Sequence, residues 1–280
     1  MNSLEQKMIS LLKELKSHHH VTAVRAEFEE EGARIEEVMR LKDIAVHAGL
    51  DFHLKIGGCA AIKDMLDSIN LGVQKIIVPM IETPYAMQKF VKTARKVYSK
   101  VLNNIQLLIN IETIVGYNYF DEMLDLPEIE SIAGVVIGRV DLVGSLGLGR
   151  DQVNSQKILE MSLAIAAKSK AKNLSVIVGG GVSADSMGFF KSFPLNHLDH
   201  YETRKLAFDC PGALNNSEEA FIKAVEFELM WLQNKRDYYG AIAKEDQERL
   251  QLMTNRLNSS LNRSGENQEA FSTQCSTEKM

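Results

Sequence analysis

Seven short runs rich in Val, Ile and Leu recur along the chain, at residues 21–29, 52–56, 75–81, 106–112, 134–141, 175–179 and 198–208. Between them lie longer stretches with apolar residues at helical spacing, as over 35–47 and 60–69, and a further helix is predicted over 4–16. Short β-branched runs alternating with helices are the sequence form of repeated βα units and a parallel sheet. Ile76-Ile77-Val78 and Val135-Val136-Ile137 are apolar at consecutive positions, which puts both faces of those strands under helices. The pattern predicts an α/β fold, either a TIM-type β/α barrel or a doubly wound sheet. Seven runs are one short of a barrel. Either the N-terminal helix replaces an early strand, giving an atypical first unit, or the last run holds two strands.

After residue 215 the pattern changes. Asn216 followed by Glu219 has the spacing of a capping box, and Phe221, Val225, Leu229, Trp231 and Leu232 carry an apolar band to residue 236. A second helix is predicted over 243–257, and residues 258–280, rich in Ser, Asn, Gln and Glu, are expected to be disordered. The chain thus divides into an N-terminal helix (1–20), a β/α barrel (21–215), C-terminal helices (216–257) and a tail (258–280).

Composition narrows the partners. The 280 residues are 45% hydrophobic and 25% charged, an ordinary globular balance, and the net charge of −5 is spread along the chain. No basic surface is available for nucleic acid or an anionic membrane. The apolar runs fall well short of the roughly 20 residues of a membrane span, and no apolar signal core opens the chain, so a cytoplasmic location is expected. Cys59, Cys210 and Cys275 form no CxxC pair, and they are expected to be reduced thiols.

Catalytic groups of β/α barrels sit at the C-terminal ends of strands, which directs attention to charged residues that end apolar runs. Glu112 and Asp141 do so, 29 residues apart, one βα unit. Two hard oxygen ligands suit Mg²⁺ or Mn²⁺; the bland alternative is a pair of helix caps or solvated loop acids. In the first run, period-two alternation puts Arg25, Glu27 and Glu29 on one face, where Glu27 or Glu29 is a candidate base, or else part of a solvated acidic loop. Gly179, Gly180 and Gly181 ahead of Ser183 suggest either a cradle for a phosphate or carboxylate or a tight turn without a ligand. In the last run Glu202 and Arg204 share a face, and His18-His19-His20 reads as a solvated turn.

The segments IETIVGYNYFDEML and GVVIGRVDLVGSLGLG resemble the HpcH/HpaI aldolase and citrate lyase β-subunit family, within the metal-dependent pyruvate and phosphoenolpyruvate barrels. Glu112 matches one metal ligand of that pattern; Gly138, Asp141, Leu142, Ser145, Leu146 and Gly147 match the block of the other, and Pro79-Met80 match an upstream strand end. The resemblance, over residues 21–185, implies a carbon–carbon lyase that acts on a 2-oxo acid through a pyruvate enolate, with Mg²⁺ or Mn²⁺ on Glu112 and Asp141. It also implies a homo-oligomer built by exchange of C-terminal helices. Phosphoenolpyruvate or acyl-CoA chemistry on the same scaffold, and a non-catalytic binding protein, are the alternatives.

Departures from the family pattern define the open questions. Lys55 stands where the aldolases carry Arg, and it offers an enolate an ammonium without the bidentate fork, or else pairs with an adjacent strand end. Phe28 stands at the position of the family's assisting His, while in the alternative register residues 27–30 are similar to the acidic stretch of the citrate lyase branch. Arg139 replaces a small residue or proline. Arg204 is a candidate for the missing guanidinium, or for an ion pair closing the barrel. The expected catalytic residues are Lys55, Glu27 and Glu29, and the expected substrate contacts are Lys55, Gly138, Arg139 and Arg204.

Overall fold

Eight strands close into a barrel in chain order: β1 (Val21–Glu27), β2 (Asp51–Lys55), β3 (Lys75–Val78), β4 (Gln106–Ile111), β5 (Gly134–Gly138), β6 (Ser175–Gly179), β7 (His200–Glu202) and β8 (Leu206–Asp209). The computed structural model describes residues 1–99 and 104–277, with side chains through residue 260. It divides into two units, Met1–Met230, which holds the barrel, and Trp231–Met280, helical over its described length. No described helix is long and apolar enough to cross a membrane.

Strands β1 to β7 run parallel, whereas β8 pairs antiparallel with both β7 and β1. The last apolar run therefore hides two strands, and no strand is lost at the N-terminus. The Thr203 side chain makes the turn between them by accepting from the Leu206 N–H at 3.1 Å. A hairpin so short carries no crossover helix.

Helix α1 (Ser3–His19) starts from a capping box of Asn2 and Glu5 and buries Met8, Leu11, Leu12 and Leu15, packing on β1 and on α2 (Ile35–His47). Helices α3 (Ile62–Leu71), α4 (Pro84–Val97), α5 (Ile114–Asn118), α6 (Phe120–Leu124), α7 (Arg139–Ser145), α8 (Gln156–Ala171) and α9 (Met187–Lys191) connect the later strands. Pro84 suits the first turn of α4, where its missing N–H is not needed, and Thr83 caps that turn.

Helix α10 runs over Glu218–Thr277, one helix where two were expected, and it continues into the segment expected to be disordered. No proline interrupts it, and Gly240 costs only about 1 kcal/mol in a helix interior. Positions 278–280 of the expected tail lie outside the described residues. Asn216 is not its cap: its side-chain amide donates to His19 O at 2.9 Å and to the Tyr201 hydroxyl at 3.1 Å.

The barrel interior has two halves. Ile77, Leu108, Val136 and Ile177, from β3 to β6, form one buried apolar cluster. Alternation places Arg25 and Glu27 of β1, His53 and Lys55 of β2, and Glu202 of β7 among the buried residues of the other half.

Candidate active site

Period-two alternation along β4 carries the inward face from Leu108 to Asn110 and on to Glu112, so the apolar layer is followed by polar groups at the strand's C-terminal end. Corresponding positions of the neighbours are Lys55, Gly138 and Gly179. These residues line a cavity of about 900 Å³ together with Arg25, Glu27, Asp141, Arg150, Glu202 and Arg204, and residues 180–185 close one side of it.

Glu112 is buried, and both its oxygens are held. Oε1 accepts the Met80 backbone N–H at 2.9 Å, and Oε2 accepts the Asn110 amide and lies 3.6 Å from Lys55 Nζ. Burial pushes the carboxyl up to about 7; Lys55 and the Met80 N–H oppose the shift, and Asp141 and Glu29 add to it. Gly138 makes this packing possible, since a Cβ there would lie 2.7 Å from both Glu112 Cβ and Oε2.

Asp141 does not end a strand, because β5 stops at Gly138; it sits exposed in the first turn of α7 and lines the same cavity. The Ser-Leu-Gly stretch that follows is scaffolding: Ser145 Oγ donates to Leu142 O at 2.8 Å and accepts from the Ile114 N–H at 2.9 Å, tying α7 to the start of α5.

Lys55 bridges two carboxylates, with Nζ 2.9 Å from Glu29 and 3.6 Å from Glu112. Burial opposes its charge, but Glu112 first, and then Glu29 and Glu27, outweigh that and raise its pKa. Glu29 lies past the end of β1 and is engaged by Lys55, whereas Glu27 Oε2 is buried without a hydrogen-bond partner.

Arg139 and Arg204 are placed differently from expectation. The Arg139 side chain is not on the cavity; it is fully buried, bonded to Gly179 O at 3.2 Å and Asn154 Oδ1 at 2.6 Å, and stacked on Phe189 and Phe190. The turn of α7 that presents Asp141 sends Arg139 inward beneath the β6 loop, and burial pulls its pKa down to about 10. Arg204 does line the cavity, yet it is paired with Glu30 at 3.3 Å and Glu31 at 3.8 Å.

Three buried residues in or behind the site were given no role from the sequence. Arg25 lies 3.0 Å from Glu202 and 3.5 Å from Glu27, joining two buried carboxylates. His53 stands 3.8 Å from Glu202. Asn110 holds Glu112, and its own Oδ1 is buried with no hydrogen-bond partner. For Asn110 the signal was present, since alternation back from Glu112 puts it on the same face.

The donor set suits a hard divalent cation: two carboxylates line one cavity with Asn110, whose Oδ1 is orphaned. Among the described residues no group of three or more His, Cys, Asp or Glu side chains is arranged to hold a metal. Water and substrate oxygens would have to supply the rest.

Residues 56–185, just under half of the chain, match the HpcH/HpaI aldolase/citrate lyase family. The resemblance carried by the Glu112 and Asp141 blocks is thus shown. A hydroxypyruvate/pyruvate aldolase from Deinococcus radiodurans is 29% identical over 115 residues, covering 33% of this chain and 39% of that protein, so the chain spans about two fifths of that relative's length. An HpcH/HpaI aldolase from Desulfitobacterium hafniense superposes with a TM-score of 0.58 at 14% identity, over 72% of this chain and 82% of the other. An HpcH/HpaI aldolase/citrate lyase family protein from Burkholderia cenocepacia gives 0.56 at 16% identity, covering 84% of this chain and 100% of its own, and the citrate synthase SbnG gives 0.55 at 15%, over 82% and 90%. At these identities the structures establish the TIM-type fold.

Proposed function

We propose that the chain is a divalent-metal-dependent carbon–carbon lyase that acts on a 2-oxo acid through a pyruvate enolate. The observation that carries this reading is the convergence of Glu112, Asp141 and Lys55 on one cavity at the C-terminal ends of the strands. Glu112 and Asp141 would hold Mg²⁺ or Mn²⁺. Such an ion, when bound, supplies Lewis acidity toward the keto and carboxylate oxygens of the substrate.

The chain's own groups do the rest. Lys55, kept charged by Glu112 and Glu29, supplies positive charge to the enolate as the carbon–carbon bond breaks or forms. Glu27, with its free buried Oε2, is the group placed to move the proton, and Glu29 serves as the partner of Lys55. Gly138 leaves room for Glu112, and Arg204 closes the rim through Glu30 and Glu31.

The same reading includes a cytoplasmic homo-oligomer. Ile222, Val225 and Leu229 on α10 are 60%, 56% and 61% exposed and lie at the edge of the cavity, where a second copy would cover them.

The test is exchange of pyruvate methyl protons in D₂O, followed by proton NMR with Mg²⁺ present. Exchange is expected in the wild type and is lost in Lys55→Ala and Glu27→Gln. A wild type that shows no metal-dependent exchange would be a protein that binds without turnover, and the reading would fall.

A further inference from the structure

Among the described residues Arg139 is the largest fully buried side chain, and no ion pair links it to a carboxylate. Its shell is neutral. Nε donates to Gly179 O at 3.2 Å, Nη1 to Asn154 Oδ1 at 2.6 Å and Nη2 to Ser186 Oγ at 3.4 Å, while the guanidinium carbon lies 4.7 Å and 5.2 Å from the centres of the Phe189 and Phe190 rings. Burying a charge without a counter-ion is expensive, and an apolar side chain of similar volume generally fills such a space at lower cost. The guanidinium must therefore do something that a Met would not.

Its three acceptors belong to three separate segments: the end of β6, the short helix Arg150–Asn154 and the short helix Ala184–Ser186. Gly179, Arg150 and Ala184 of those segments all line the cavity. The planar fork of Arg reaches acceptors in fixed directions, which a flexible ammonium cannot do. Two residues further on, in the same first turn of α7, is Asp141. That turn is pressed against the β6 loop: a Cβ on Gly180 would lie 2.7 Å from Val140 N and 2.9 Å from Arg139 N.

We propose that Arg139 is a positioning residue, fixing the α7 turn against the three segments of this wall so that Asp141 is held where it and Glu112 share a divalent cation. This rests on the metal-centre reading above. Residues that orient a metal ligand typically change metal affinity about 10- to 100-fold when replaced.

Mn²⁺ titration of the full chain, read by the loss of the free-ion electron paramagnetic resonance signal, tests the idea without requiring turnover. Arg139→Met is expected to bind Mn²⁺ about tenfold or more weakly than the wild type, with Arg139→Lys recovering only part of the loss. Asn154→Ala removes one acceptor without touching Arg139, and it should shift affinity in the same direction if Arg139→Met does not fold. Ile44→Val in α2 serves as a control for general loss of stability. If the arginine variants, or Asn154→Ala in their place, bind Mn²⁺ as the wild type does, or lose no more affinity than an equally destabilised control, this proposal alone is overturned. A wild type that binds no Mn²⁺ would overturn the metal-centre reading, and this proposal with it.

Discussion

Met80 gives its backbone N–H to Glu112 Oε1 at 2.9 Å while holding φ at 52°, in the left-handed region that side-chain-bearing residues seldom adopt. Such a conformation costs on the order of 1–3 kcal/mol and is kept where the surroundings determine it. Here the donated bond fixes a carboxylate already destabilised by burial. Met80→Gly is expected to leave stability within about 1 kcal/mol of the wild type, the relieved strain offsetting glycine's extra freedom in the unfolded chain. Met80→Ile, β-branched at positive φ, should lower the melting temperature and weaken Mn²⁺ binding. Thermal denaturation with Mn²⁺ titration of both variants checks this.

Glu112→Gln and Asp141→Asn should each abolish measurable Mg²⁺ or Mn²⁺ binding and pyruvate exchange while the barrel stays folded, since the amides keep the shape of the side chains. Isothermal titration calorimetry with circular dichroism is the measurement. Metal affinity unchanged in both variants would remove the central claim.

Gly138→Ala drives a methyl group into Glu112, 2.7 Å from two of its atoms. Overpacking of this kind costs about 1–3 kcal/mol. A lower urea midpoint should accompany weaker Mn²⁺ binding, because one of the two atoms displaced is Oε2 of the Glu112 carboxylate.

The ionic half of the barrel makes stability depend on pH. Burial lowers the pKa of His53, with Glu202 opposing, and burial likewise lowers that of His200. In the unfolded chain these imidazoles titrate near 6.5, so below that pH the unfolded state binds more protons and the folded state loses stability as the pH falls. Glu202 adds a loss of the same sign at lower pH: burial raises its pKa, but Arg25 and then His53 outweigh that and hold it below the ordinary range. Glu112, whose carboxyl is raised to about 7, works in the opposite sense over the same range, so the comparison is between variants: in urea unfolding from pH 8 to pH 5, His53→Gln should lose less stability than the wild type as the pH falls.

On α10, Ile222→Glu with Leu229→Glu is expected to yield a monomer with a melting temperature close to that of the wild type, because both side chains are exposed within one chain. Sedimentation velocity at micromolar concentration decides between an oligomer and a wild type that is monomeric already.

Much of the barrel was legible because parallel strands buried on both faces leave uninterrupted β-branched runs; β3 and β5 are the plainest cases. The β7–β8 hairpin was legible only as one of two alternatives, since residues 203–205 turn the chain with Thr, Arg and Lys and no glycine or proline to mark the break. Glu112 could be placed from alternation along β4. The surroundings of Asp141 could not, because alternation ends where α7 begins, and nothing in local spacing says that the same turn aims Asp141 outward and Arg139 inward. The pairing of Arg25 with Glu202 joins residues that are distant in sequence and adjacent only in the closed barrel.

The antiparallel β8 also sets the order in which the barrel can be completed during synthesis. Until Leu206–Asp209 leaves the ribosome, β1 and β7 are both open edges, and every earlier strand belongs to a curled sheet with unpaired N–H and C=O groups on each side. A nascent chain stalled before this point carries two sticky edges at once. The last strand made is thus what turns an aggregation-prone sheet into an edgeless cylinder.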